Sequence, residues 1–152
     1  MGLPPYLTSL CHYEWVELLV STMANETDKN DINPTGDLRH NVPVFTPTMQ
    51  LLNYEYAVQK ISPRYKPIEK VITQLFVYRN ADFSIKFIEI NAITYRLIEI
   101  LKQKKMNCEQ ALTLLAHEMN QAQTECIIQF GLEILEDLRN QGAILGVYQT
   151  NI

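Results

Sequence analysis

A chain of 152 residues, 47% hydrophobic and 20% charged, is long enough to bury a core without a disulfide or a metal. Its net charge of −4 gives no overall attraction to nucleic acid or to an anionic membrane. The sequence contains no apolar run approaching the roughly 18 residues of a membrane span, and no basic stretch ahead of a signal-like apolar core.

In chain order, Pro4 and Pro5 suit the first turn of a helix, where a missing N–H costs nothing. Leu7, Leu10, Cys11, Trp15, Leu18, Leu19 and Met23 then recur at spacings of three and four, which predicts one apolar stripe. A lone amphipathic helix cannot bury such a stripe by itself. The stripe must pack on the rest of this chain, on a second copy or on another domain, and Trp15, Leu18 and Leu19 are candidate contacts with a homodimer partner or with another helical domain. Residues 24–41 are rich in Asn, Asp, Thr and Gly around Pro34 and read as a polar linker. That places a boundary after residue 41, with 1–41 as helix and linker and 42–152 as a second domain.

Pro43 and Pro47 allow Val42 to Pro47 to be extended at most. Leu52, Tyr54, Tyr56 and Val58 alternate as one face of a strand, which Pro63 and Pro67 then interrupt. Lys60, Arg64, Lys66 and Lys70 stand here against Glu69 alone, with Tyr65 among them. The strip is either a solvated connector or a docking strip for an acidic partner or phosphate. Val71 to Arg79 predicts a strand, Asn80-Ala81-Asp82 a turn, and Ser84 to Ile90 the returning strand of a hairpin. Lys86 to Leu101 then runs from strand directly into helix, with Asn91 at the joint as a natural N-cap. Lys102 to Lys105 close that helix with positive charge, as its dipole prefers. Asn107 and Gln110 have capping-box spacing and open a helix through Met119. The last helix spans about Gln121 to Asn140, with Ile127, Ile128, Gly131, Ile134, Leu135 and Leu138 inward. Gly142 ends it, and Ala143 to Tyr148 forms a short closing strand.

The chemistry-bearing residues point away from catalysis. His117-Glu118-Met119-Asn120-Gln121 begins like a zinc-protease motif but lacks the second His. Gly131, Gly142 and Gly146 are isolated, so there is no phosphate loop, and His12 reads as a surface or interface residue. Cys11, Cys108 and Cys126 lack CxxC or Cys/His ligand spacing and read as buried thiols in a reducing cytoplasm. The sequence also supplies no identifiable base for Cys108 or Cys126. No catalytic residue, metal site or cofactor is assigned, and function is expected from a surface.

Hairpin, three helices and a strand make an α+β chain with a winged-helix-like domain behind an N-terminal helix and linker. Such domains often read DNA with their third helix. Here that helix carries Glu125, Glu133, Glu136 and Asp137 against Arg139 alone, which opposes phosphate neutralisation. A DNA-binding transcription regulator is thus the alternative, favoured by topology and by the basic strip. The residues also allow a sheet edge that accepts an extended peptide as an added strand, with Tyr65, Lys66, Arg79, Glu89, Ile90 and Asn91 as candidate contacts, or a sheet edge that binds nothing.

Longer stretches carry a family resemblance. Leu3 to Leu7, Glu14 to Leu18, Asn41 to Val44 and Val58 to Pro63 match a linker region. Leu75 to Arg79, Phe87 to Asn91 and Gly131 to Arg139 match a C-terminal domain. Nearly the whole chain resembles the HvfC/BufC accessory proteins, whose members often carry a DNA-binding label and are related to the accessory subunit of methanobactin biosynthesis. The resemblance implies a non-catalytic subunit beside an iron-dependent TIM-barrel enzyme that modifies cysteines of a ribosomally made precursor peptide. The iron would belong to that enzyme, and the accessory chain would help recognise the peptide leader. The family normally carries a longer N-terminal helical domain, of which Pro4 to Met23 looks like the last helix.

Overall fold

The computed structural model describes residues 2–24 and 31–149. The chain is α+β, with an N-terminal helix, two antiparallel sheets and three C-terminal helices in a winged-helix-like order. It forms two compact units, one from residues 2–24 and 48–91, the other from residues 31–47 and 92–149.

The first unit joins helix α1 (Leu7–Thr22) to a sheet of β3 (Gln50–Tyr54), β4 (Thr73–Arg79) and β5 (Ile85–Ile90), ordered β3-β4-β5. Leu52 pairs with Leu75, and Val77 with Phe87, so alternate residues of all three strands share a face. On that face Leu52, Tyr54, Leu75 and Val77 form a core with Tyr56, Val58, Val16 and Val20. The opposite face of β4 carries Phe76 and Tyr78, both buried, with ring centroids 5.6 Å apart. The expected strand from Leu52 stops at Tyr54, and Val58–Lys60 is a 3-10 turn, yet Tyr56 and Val58 remain buried.

The buried face of α1 shares only Leu10 and Met23 with the expected stripe. Val16 and Val20 are buried, and Tyr6, Leu10, Tyr13 and Met23 pack against the same core. Trp15 and Leu18 are 54% and 63% exposed, Cys11 is exposed and Leu19 is half-buried. The helix has apolar residues on two sides, and the sheet selects the side carrying Tyr13. The Tyr13 ring lies 4.7 Å from Phe87 and 6.5 Å edge-on to Tyr54, arrangements that aromatic quadrupoles favour. A hydrogen bond of 2.8 Å joins His12 Nδ1 and the Tyr54 hydroxyl, whose phenol burial pushes up to about 12.

Arg79 closes this unit. Its guanidinium donates to the carbonyls of Val20 at 3.0 Å, Ser21 at 2.9 Å and Met23 at 2.7 Å. Val20 and Ser21 are in the last turn of α1, where carbonyls have no partner further along the helix, and Met23 is the extended residue that caps it. The Arg79 N–H also donates to the buried Thr48 hydroxyl at 3.0 Å.

In the second unit, α2 (Ala92–Gln103), α3 (Cys108–Glu118) and α4 (Thr124–Asn140) accompany a small sheet of β1 (Ile32–Asn33), β6 (Ile144–Tyr148) and β2 (Pro43–Phe45), ordered β1-β6-β2. The expected capping box is present: the Asn107 side chain accepts from the Gln110 N–H at 2.8 Å, and Gln110 Oε1 accepts from the Asn107 N–H at 3.1 Å. Gly142, at φ +86°, ends α4, with its N–H and that of Ala143 on the carbonyls of Arg139 and Leu138. Gly131 lets α3 and α4 approach, because a Cβ there would lie 2.1 Å from a methyl of the buried Leu112.

The described part of the expected linker is ordered structure. Ile32 and Leu38 are buried, and Ile32 pairs with Tyr148 in β6. The Arg39 carbonyl accepts from the first-turn N–H of Glu109 at 3.0 Å. The cysteine expectation also changes. Only Cys108 is buried, its thiol pushed up to about 12 by that burial, whereas Cys11 and Cys126 are exposed.

Val16→Ala should destabilise the chain by about 2 kcal/mol in urea unfolding through lost burial and a residual cavity. Trp15→Ala should stay within about 0.5 kcal/mol of wild type, as an exposed change does. Equal losses at the two positions would reverse the assignment of the buried face.

Candidate functional site

Within its sheet β5 is an outer strand, with β4 as its one neighbour among the described residues. An outer strand leaves a row of backbone N–H and C=O groups unused by the sheet. Ile85 and Phe87 pack on the α1 side, so Glu89 shares their face by alternation and Lys86, Ile88 and Ile90 take the other. Glu89 and Asn91 are exposed and Ile90 is half-buried, and α2 begins at Ala92 directly after them.

The register places two expected contact groups at opposite ends of this edge. Ile90 lies opposite Gln74, and Ile85 opposite Arg79. Five residues of strand, about 17 Å, separate the two ends. Arg79 is buried and bonded to the end of α1. It anchors a helix and is not presented to solvent with Glu89.

At the Ile90 end, Gln59 Nε2 donates to Glu89 Oε2 at 3.4 Å. The chain leaves Gln59 through Lys60 into residues 61–72 and re-enters the sheet at Thr73, opposite Tyr54. Tyr65 and Lys66 are exposed on this loop. A reciprocal pair of backbone bonds between Ser62 and Tyr65, at 3.0 and 3.1 Å, holds its first half. Buried Pro67 and the bond from the Val71 N–H to the Glu55 carbonyl, 2.8 Å, hold the second.

Sequence reasoning missed a second polar site, because it falls in the expected linker. In the second unit Arg39 forms a 2.8 Å ion pair with Glu109 of α3 and a two-pronged pair with Glu125 of α4, at 3.0 and 3.1 Å. His40 contacts Asp37 at 2.6 Å and Glu109 at 3.2 Å. A surface groove of about 590 Å³ runs beside it, lined by His40, Glu109, Thr113 and His117 among others. Among the described residues, no three of His, Cys, Asp and Glu are gathered so as to hold a metal ion. Nor is any described helix long and apolar enough to cross a membrane.

The exposed acids of α4, Glu133 and Asp137, remain on its surface, while Glu125 and Glu136 pair with Arg39 and Arg139. The arrangement defines an α+β, winged-helix-like domain. The chain matches the HvfC C-terminal domain over residues 46–139, and it belongs to that family. Membership supports a non-enzymatic accessory role in the maturation of ribosomally made peptides. No curated protein matches the chain.

A pH dependence follows from the ion pairs. Hydrogen bonds from Arg39, His40 and Arg96 hold the carboxyls of Glu125, Asp37 and Glu118, respectively, below the usual range. Groups lowered by folding stabilise the native state above their unfolded pKa of about 4, and that contribution disappears as pH falls through the folded value. Tm should therefore drop as pH is lowered from about 5 toward 3, and Arg39→Gln should flatten that slope in a thermal-melt series. An unchanged slope in the variant would show that the Arg39 cluster contributes nothing to it.

Proposed function

We propose that this chain is a non-catalytic recognition subunit beside an iron-dependent TIM-barrel enzyme that modifies cysteines of a ribosomally made precursor peptide. In this reading the outer edge of β5 takes an extended part of the peptide as an added strand. The observation that carries it is the position of β5 (Ile85–Ile90) at the margin of its sheet, ending at the exposed Glu89 and Asn91. Backbone hydrogen bonds along such an edge supply affinity with little sequence demand, and side-chain contacts beside it supply selectivity. The iron and the covalent chemistry belong to the enzyme.

The exposed side of α1, with Trp15 and Leu18 and the half-buried Leu19 beside them, is the second contact surface in this reading. A family of this kind carries further helical structure, and a partner domain or a second copy is the natural cover for it. The DNA-binding alternative receives less support, since Glu133 and Asp137 stay exposed on α4, where a duplex phosphate would meet like charge.

Co-expression with an iron-dependent barrel enzyme of this kind and its precursor peptide should give one co-migrating complex in size-exclusion chromatography under reducing, low-salt conditions. Amide hydrogen exchange on that complex should slow at alternate positions of Ile85–Ile90, as an added strand requires. Separate elution would overturn the partnership. A complex in which β5 exchanges at its free rate would overturn the strand-addition mode.

A further inference from the structure

The 60–72 loop is not absorbed by strand addition itself, and its composition departs from that of the chain around it. In a chain of net charge −4, Lys60, Arg64 and Lys66 are exposed and have no ion-pair partner among the described residues, whereas Lys70 pairs with Glu55 at 3.2 Å. Among these cations, Ile68 is 85% and Ile72 69% exposed, with Val71 half-exposed between them. Solvated connectors usually carry polar side chains, so this many exposed aliphatics on a loop held by backbone bonds is a feature that calls for a partner.

Position decides which partner. The bond from Gln59 to Glu89 joins the start of the loop to the edge strand, and its return at Thr73 lies at the Ile90 end of the same sheet. A peptide seated on β5 and running past Glu89 therefore meets the loop's cations and aliphatic side chains next. We propose that this loop selects the peptide: it binds a segment in which Asp or Glu alternates with apolar residues, immediately beside the part that pairs with β5. The inference rests on the strand-addition reading above and adds the chemistry of the substrate to it. Complementary charge fixes register and suppresses wrong partners more than it adds affinity. Three exposed ion pairs, each worth a few-fold at most, give on the order of a tenfold preference, which high salt should erode.

The test is selection from a random library of displayed 12-residue peptides by the full chain, and in parallel by a Lys60→Glu, Lys66→Glu double variant. Both substitutions are on exposed side chains, and a matching Tm would establish that the variant is folded. The wild-type pool is expected to be enriched in Asp and Glu interleaved with aliphatic residues. The variant pool should lose the acids while peptides of both pools still slow amide exchange in β5. Peptides that protect β5 without acidic enrichment would overturn the inference and leave strand addition standing. A library yielding no β5-protecting peptide would remove both. Tighter binding of a 15-nucleotide single strand than of any selected peptide, lost in the double variant, would assign the strip to nucleic acid instead and overturn the proposal.

Discussion

Strand β4 is buried on both faces and paired on both edges, and the first unit depends on that constraint. Gln50 to Tyr54 pair with it on one side and Ile85 to Ile90 on the other, while Thr73 and the run from Leu75 to Arg79 are buried. Such a strand tolerates no unsatisfied charge, because an unpaired buried ion costs several kcal/mol. Its one ion, Arg79, lies at the end of the strand, where the carbonyls at the end of α1 are within reach. One residue thus satisfies the strand's buried charge and the helix's orphan acceptors together. With both edges of β4 taken, the free edges of the sheet fall to β3 and β5; the basic loop follows the end of β3 through Glu55 and touches the end of β5 through the bond from Gln59 to Glu89.

Much of this architecture is written locally and could be read without coordinates. The hairpin followed from alternation and a turn, and the capping box at Asn107 from a three-residue spacing. Gly142 followed from its place after a long apolar-periodic run. What stayed hidden depends on distant partners. Ile32 and Asn33 are too short a strand to show a period, and they are a strand because β6, more than a hundred residues later, supplies the ladder. Gly146, at φ +151°, permits that approach, since a Cβ there would lie 2.3 Å from the Asn33 carbonyl oxygen. The buried side of α1 was ambiguous for another reason. Two apolar stripes share the helix, and the choice between them is made by Tyr54 and Phe87 across the core.

The candidate contact residues divide along the same line. Glu89, Ile90 and Asn91 were recognisable as a strand end meeting a helix start, and the structure keeps them together. Arg79 has the composition of a binding residue and the environment of a structural one. Only the register reveals this, by setting it opposite Ile85 at the far end of the edge. Arg39 was overlooked because a polar, Gly- and Pro-containing stretch ordinarily marks a linker. Its carbonyl and guanidinium instead engage the starts of α3 and α4.

The arginines and lysines of this chain therefore do different work. Arg39, Arg96 and Arg139 each grip one or two carboxylates through a planar fork, and Arg79 grips carbonyls, as guanidinium geometry favours. Those arginines are occupied by the fold. Of the cations without an ion pair among the described residues, Lys60, Arg64 and Lys66 stand among exposed aliphatic side chains, apart from Lys86 on β5 and from Lys102, Lys104 and Lys105 at the end of α2. In an acidic chain, a basic strip that is also partly apolar and lies beside a free strand edge gives an incoming acidic segment a preferred place to dock. That placement gives a selection role to the loop and leaves the sequence-tolerant work of holding backbone to the edge of β5.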